Sequence, residues 1–425
     1  MVEKLISLSL KNRLIVILIS AALFVWGIFS IQKNPIDAIP DLSENQVIVF
    51  TEWMGRSPQV IEDQITYPLV SNLQGIPKVK NIRGASMFGM SFVYVIFEDN
   101  TDIYWARTRV HERLNYAQKF LPPEVIPTLG PDGTGVGHIF WYTLDAKEYD
   151  LGELRALQDW YVKFALQTVP GVSEVASFGG FQKQYQIVID PNKLVYYNIP
   201  MGDVLKAVKS NNNDVGGRKF EMSNMGYIIR GLGYIKNISD VENIPVSTIN
   251  TAPVRIKDIA TVQMGGDLRL GIFDENETGE KVGGIIVRRN GENADQVIRA
   301  VKEKMKDVQK GLPEGVTFKT AYDRSELIED AVKSVKRTLT EEIIVVSIIV
   351  IIFLLNWRSA LIILIQMPIS IAVAFILLNA FGISSNIMSL TGIALAIGVI
   401  VDDGIVMVEN SYRHLSEAQL KEKNT

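Results

Sequence analysis

Two short stretches, 73-LQGIPKVKNI-82 and 166-LQTVPGVSEV-175, decide the fold. Leu73, Gln74, Ile76, Pro77, Val79 and Ile82 stand against Leu166, Gln167, Val169, Pro170, Val172 and Val175 at the same spacing. A second pair, 118-QKFLPPEV-125 and 309-QKGLPEGV-316, follows in the same order. Each stretch reads as the end of a helix followed by a strand. The residue before proline is driven out of the α region, and the β-branched residues beyond it suit an extended chain. Two ordered matches define an internal repeat. Gln74 and Gln118 are 44 residues apart, whereas Gln167 and Gln309 are 142 apart, so the second copy carries an insertion of about 98 residues.

Outward from these landmarks each copy reads as strand, helix, strand, strand, helix, strand, which is the split βαβ, ferredoxin-like order. In the first copy 46-QVIVFTEWM-54 and 91-SFVYVIFE-98 are strands. Helices cover 57–74, with Ser57 as N-cap and Pro58 at the first helical position, and 102–120. The second copy begins near 138-HIFWYTLD-145, with a helix over 150–168. The insertion starts after the strand 185-YQIVID-190 and ends near Gly265, with its own helix over 201–211 and a strand over 226–235.

Around the repeats lie four apolar segments: 14–31, 338–356, 360–381 and 387–408. Each is read as a membrane span, which needs about 20 apolar residues; the apolar core of the second is only 13 residues, so it needs its flanking turns to cross. Pro368 is tolerable in a helix packed among others. The alternative for the first segment is a signal peptide, but no small-residue cleavage site follows it. Lys4, Lys11 and Arg13 place the N-terminus in the cytoplasm, and residues 33–337 then lie outside. Arg358, Arg413, Lys421 and Lys423 mark the return to the cytoplasmic side. The composition agrees: 47% of residues are apolar and 21% charged. A net charge of −4 gives no reason to expect nucleic acid, and the absence of cysteine excludes disulfides and thiolate metal sites.

The last segment holds an anomaly, 396-AIGVIVDDGIVMVEN-410. One carboxylate at the centre of a membrane helix costs roughly 2.5–3.5 kcal/mol, and here Asp402 and Asp403 are adjacent. Two close carboxylates in a low dielectric do not both ionise cheaply, so they load and unload protons as a unit. Glu409 lies seven residues after Asp402, two turns on and on the same face. The alternatives are a span that starts later and an interfacial role for Glu409. Small residues nearby (Ala394, Ala396, Gly398, Gly404) would let a partner helix approach. The run 133-GTGVG-137 is not a phosphate loop, because no Lys-Ser/Thr follows and the next residues read as a strand. No hydrolytic constellation stands out, so a transporter is expected rather than an enzyme.

These residues carry a resemblance. Together with 35-PIDAIPDLSENQVIV-49, 88-FGMSFVYVIFEDNTDIYWARTRV-110, 129-LGPDGTGVG-137 and 386-NIMSLTGIALAIGVIVDD-403, the chain resembles the N-terminal half of a resistance–nodulation–division (RND) pump of the heavy-metal-efflux branch. The resemblance implies an α+β membrane protein with four transmembrane helices and a large periplasmic part. Two ferredoxin-like pore subdomains would cover 34–133, and 134–184 with 266–332. An inserted α+β docking subdomain would cover 185–265, with membrane segments over 1–33 and 333–425. It further implies a multi-pass protein of the bacterial inner membrane, with Asp402, Asp403 and Glu409 as the proton relay of a cation antiporter. Partners would be the C-terminal half of the pump, further copies in a homotrimer, a periplasmic membrane-fusion adaptor and an outer-membrane channel. No resident cofactor is implied; the metal is cargo.

The motifs look most like the copper/silver members. Ala396 stands where the divalent branch carries an acidic residue. Three histidines supply imidazole poorly, whereas thioethers suit Cu(I) and Ag(I). Met388 and Met407 match membrane positions of a methionine relay, while Ile400 and Leu268 stand where further methionines are expected. Met87-x-x-Met90 and Met222-x-x-Met225 are pairs that could equally be packing. The branch's main three-methionine site lies in the C-terminal half, and the length of the chain is that of a fragment or a split subunit. Export of divalent metals or organic compounds, and a membrane-anchored periplasmic module without transport, are the rival functions.

Overall fold

The computed structural model describes residues 2–423 except 224, 250, 270, 277, 355 and 356; side chains are not described for 2–5, 215, 218, 230, 339, 353–359 and 415–423. The two repeats form two four-stranded antiparallel sheets of one topology. In the first, Gln46–Glu52, Val79–Met87, Met90–Phe97 and Thr128–Leu129 lie in the order second, third, first, fourth. In the other, Gly133–Asp145, Val172–Phe178, Val282–Arg289 and Thr317–Asp323 lie in the order fourth, first, third, second, the same arrangement read from the opposite edge.

The residues that match between repeats are those that fill the cores. Leu73 and Leu166, Ile76 and Val169, Leu121 and Leu312, and Val125 and Val316 are all buried. Burying one such side chain stabilises by about 1.5–3 kcal/mol, which accounts for their occurrence at equal spacing. Side-chain caps open some of the helices, although Ser57, expected as a cap, makes no side-chain bond at the start of Pro58–Ile61. Asp102 accepts from the Trp105 N–H at 2.6 Å to open Ile103–Ala117. Asp150 and Glu153 form a reciprocal capping box at Leu151–Leu157.

The inserted unit leaves the second sheet after Val172–Phe178 and returns at Val282–Arg289. Its base is a ribbon of Lys183–Ile189 against Ala260–Gly266, and it has its own apolar core around Val204, Val241, Ile256 and Ile259. A hairpin, Val215–Met222 with Met225–Gly231, projects from it.

Two of the three glycines of 133-GTGVG-137, Gly133 and Gly137, serve packing, whereas a Cβ on Gly135 would meet nothing. Gly133 lies opposite Arg289 in the sheet, and a Cβ there would meet Val287 Cγ1 at 2.5 Å. Bare backbone is required where the strand edge presses on its neighbour.

Among the described residues three helices are long and apolar enough to cross a membrane: Arg13–Lys33, Ala360–Ala380 and Ile387–His414. The expected crossing at 338–356 falls on the C-terminal part of a longer helix, Arg324–Leu354, so the turns before Ile343 that its short apolar core needs to cross are helical; residues 355 and 356 lie outside the described residues. Arg13–Lys33 packs tightly on Trp357–Ala380: a Cβ on Gly27 would fall 2.3 Å from Ala372 Cβ. The side chains of Arg358, Lys421 and Lys423, on which the orientation partly rests, lie outside the described residues.

Between the repeats, Asp132 accepts from Ser173 Oγ and from Tyr104 OH at 3.2 Å, with Arg289 Nε 3.5 Å away. Burial pushes this carboxyl up, but the two hydroxyls and the guanidinium outweigh it and hold it below the usual range. Asp41 is depressed in the same way: against burial stand Ser43, Thr134 and Arg288. A carboxyl whose folded value lies below its unfolded one stabilises fully above the unfolded value, and that contribution is lost as pH falls through the folded value. The repeats should therefore loosen as pH drops below about 4. Asp132→Asn should flatten that dependence in a thermal unfolding series.

Candidate functional site

The helix Ile387–Lys423 carries every residue singled out for transport. Asn386 caps its start: its Oδ1 accepts from the Ser389 N–H at 3.0 Å, and Ser389 Oγ accepts from the Asn386 N–H at 2.9 Å. Leu390, Ile393, Ala394, Ile397 and Val401 are buried against the neighbouring helices, together with Gly404. These recur at three- and four-residue spacing and so form one packed stripe.

The functional candidates occupy the opposite stripe. Met388 is 69% exposed and Met407 61%. Asp402, Asp403 and Glu409 are exposed, and among the described residues none of the three has a hydrogen-bond or ion-pair partner. The structure thus puts all five on one open side of one helix and brings none of them against another element of this chain. A rise of about 1.5 Å per residue separates Met388 from Met407 by roughly 28 Å. The two sulfurs therefore cannot share one ion and would have to be separate stations.

Of the four small residues noted around the aspartates, Ala394 and Gly404 face neighbouring helices, whereas Ala396 and Gly398 lie on the open stripe. Gln366 was missed by sequence reading. Its side chain reaches to 2.9 Å from where a Cβ on Gly404 would be, one residue from Asp403. The signal was present as an amide well inside the apolar run 360–381, whereas the other amide there, Asn379, lies at its end. Met367 beside it is buried among aliphatic side chains and serves packing. Met87 and Met90 are cross-strand partners at a tight turn, and so are Met222 and Met225. Their three-residue spacing is the geometry of two-residue hairpin loops. Among the described residues no group of three or more His, Asp or Glu side chains could hold a metal ion.

Comparison with known proteins extends this picture. Residues 5–425 match the AcrB/AcrD/AcrF family. The cation efflux system protein CusA of Escherichia coli (strain K12) is 45% identical over 422 residues, which cover 99% of this chain and 40% of that protein. The cobalt-zinc-cadmium resistance protein CzcA of Cupriavidus metallidurans is 38% identical over 428 residues, covering 99% of this chain and 40% of that protein. A crystal structure of a heavy metal efflux pump superposes with a TM-score of 0.85 at 35% identity, covering 96% of this chain and 41% of that one. The chain therefore spans about two-fifths of the length of the curated relatives that it matches.

Proposed function

The chain belongs to the AcrB/AcrD/AcrF family, and from that premise we propose that it is the N-terminal half of a proton-driven exporter of Cu(I) or Ag(I). The observation that carries the reading is the open stripe of Ile387–Lys423. Two adjacent carboxylates, a third two turns away and two thioethers face outward from a helix whose other side is fully packed. Unpaired carboxylates in an apolar segment require a partner surface, and the C-terminal half of the pump would provide it. In this reading Asp402 and Asp403 take up and release the driving proton and Glu409 extends the path. Met388 and Met407 pass a soft monovalent ion. The two repeats are ferredoxin-like pore subdomains and the inserted unit is a docking subdomain. The helix Arg324–Leu354 supplies the fourth crossing, with the N-terminus in the cytoplasm. The assembly is a trimer joined to a periplasmic adaptor and an outer-membrane channel.

Substitution of both methionines tests the cargo. In cells lacking their own pump that express the chain with a complementary C-terminal half, copper and silver accumulation should fall. With Met388→Leu and Met407→Leu that protection should be lost while the protein remains at its normal level. Zinc accumulation that falls instead, and is indifferent to the two leucines, would identify a divalent exporter.

A further inference from the structure

Asp37, just past the helix Arg13–Lys33, is held in a buried ion cluster. Its Oδ1 lies 2.9 Å from Arg324 Nη2 and its Oδ2 lies 3.3 Å from Arg288 Nη2. The side chains of Asp37, Arg288 and Arg324 are 8%, 7% and 4% exposed. Arg324 Nη1 also donates to the Val136 carbonyl at 2.5 Å, and Arg288 Nη1 donates to the Glu292 carbonyl. Both arginines thus belong to the second repeat, while Asp37 belongs to the segment leaving the membrane helix.

That segment is stitched to the membrane bundle by its backbone. The Asp37 N–H donates to the Ser385 carbonyl at 3.1 Å, Ser385 N–H to the Pro35 carbonyl at 2.9 Å, and Ile387 N–H to the Ala38 carbonyl at 3.3 Å. Asn34 Nδ2 donates to Ser385 Oγ at 2.8 Å. On the other side Ala38 and Ile36 pack into the core of the second repeat. Three helices converge on this knot: Arg13–Lys33 ends before it, Arg324–Leu354 starts at one of the two arginines, and Ile387–Lys423 starts two residues after Ser385. The last of these carries Asp402 and Asp403.

Such a cluster is a poor device for stability alone. Arg288 Nε, Arg324 Nε and Arg324 Nη2 are buried with no hydrogen-bond partner among the described residues, so Asp37 is held by ion pairing rather than by hydrogen bonds from the guanidiniums. Apolar side chains of similar volume commonly hold a fold as well as a buried ion cluster or better. What a fixed carboxylate between two guanidiniums adds is direction and stiffness. We infer that Asp37 is a positioning residue through which displacement of the aspartate-bearing helix reaches the second repeat. A shift of Ile387–Lys423 along its axis arrives at Ser385, passes through the backbone stitch to Asp37, and moves Arg288 and Arg324 with it. The inference rests on the transport reading.

The test measures two fluxes and one local opening. The chain and a complementary C-terminal half are reconstituted in liposomes with Ag(I) as the probe and an internal pH dye. With Asp37→Asn, silver flux should fall roughly tenfold, within the range of coupling between linked sites, while proton flux persists, so that silver moved per proton drops. Arg288→Leu leaves Asp37 on Arg324, fills the space with an apolar group, and should lower the same ratio if the asparagine variant does not fold. In the chain alone, amide exchange at Ser385 and Ile387 should quicken roughly a hundredfold in Asp37→Asn, with Val47 and Val49 unchanged. Silver and proton fluxes that fall in equal proportion, or an unchanged ratio, overturn the transmission role. If the wild type moves neither ion, the transport reading has failed, and amide exchange alone decides whether Asp37 holds the joint; unchanged exchange overturns that as well.

Discussion

If the chain exports metal together with a C-terminal half, as proposed, replacing Asp402 and Asp403 by asparagine in cells that express both should reduce export to the level of cells without a pump, with the protein still folded and present in the membrane. Asparagine has nearly the shape of aspartate and lacks only the charge and the proton it carries. Both carboxylates stand on the open stripe of Ile387–Lys423, opposite Leu390, Ile393, Ile397 and Val401. Among the described residues they make no contact that the substitution would break. The substitution removes charge that an apolar segment holds at a cost, so it should not destabilise the helix. Loss of export in this background reads directly as loss of proton exchange. Metal accumulation, alongside the amount of protein in the membrane fraction, decides it.

The largest effect on stability should come from the paired leucines of the repeats. Leu73 and Leu166 are both fully buried at the end of the first helix of their repeat. Leu73→Ala and Leu166→Ala should each cost about 2–5 kcal/mol, the usual toll of a cavity that its surroundings fill only in part. Each repeat has its own core, so the loss should be local. Amide exchange in Leu73→Ala should quicken at Val47, Val49 and Val93 and leave Val172, Val175 and Ile286 protected. Leu166→Ala should give the reverse. Equal loosening of both repeats by either change would mean that they unfold as one unit.

The same leucines explain why so much of the soluble part could be read from the sequence. A helix end, a proline step and a strand start are local signals, and repetition at two sites makes them hard to mistake. The expected helix over 201–211 is Met201–Ser210; the strand expected over 226–235 is Met225–Gly231 and stops short, leaving 232–235 outside any strand. Features built from distant residues were not legible. Asp37 meets Arg288 and Arg324 only through the fold, and no spacing rule connects them. Gln366 reaches Gly404 across two helices. The ribbon of Lys183–Ile189 with Ala260–Gly266 joins strands separated by most of the inserted unit. The segment 338–356 was expected to use its flanking turns to cross, but a helix start as far back as Arg324 was not legible in it. The structure shows it continuing from Arg324 as one helix.

The candidate site was legible for a different reason. Charge inside an apolar run is conspicuous in any sequence, and the helical period alone places Asp402 and Glu409 on one face. Only the structure shows that this face is the unpacked one.

On the proposed function, proton and metal movements are linked through that face. The most direct measurement imposes a proton gradient on membrane vesicles carrying the chain and a complementary C-terminal half, then adds silver, copper or zinc. Silver or copper should dissipate the gradient with wild-type Asp402 and Asp403, zinc should not, and the double asparagine variant should respond to none. A gradient that silver and copper leave untouched in the wild type, or that they collapse equally in the asparagine variant, would contradict it.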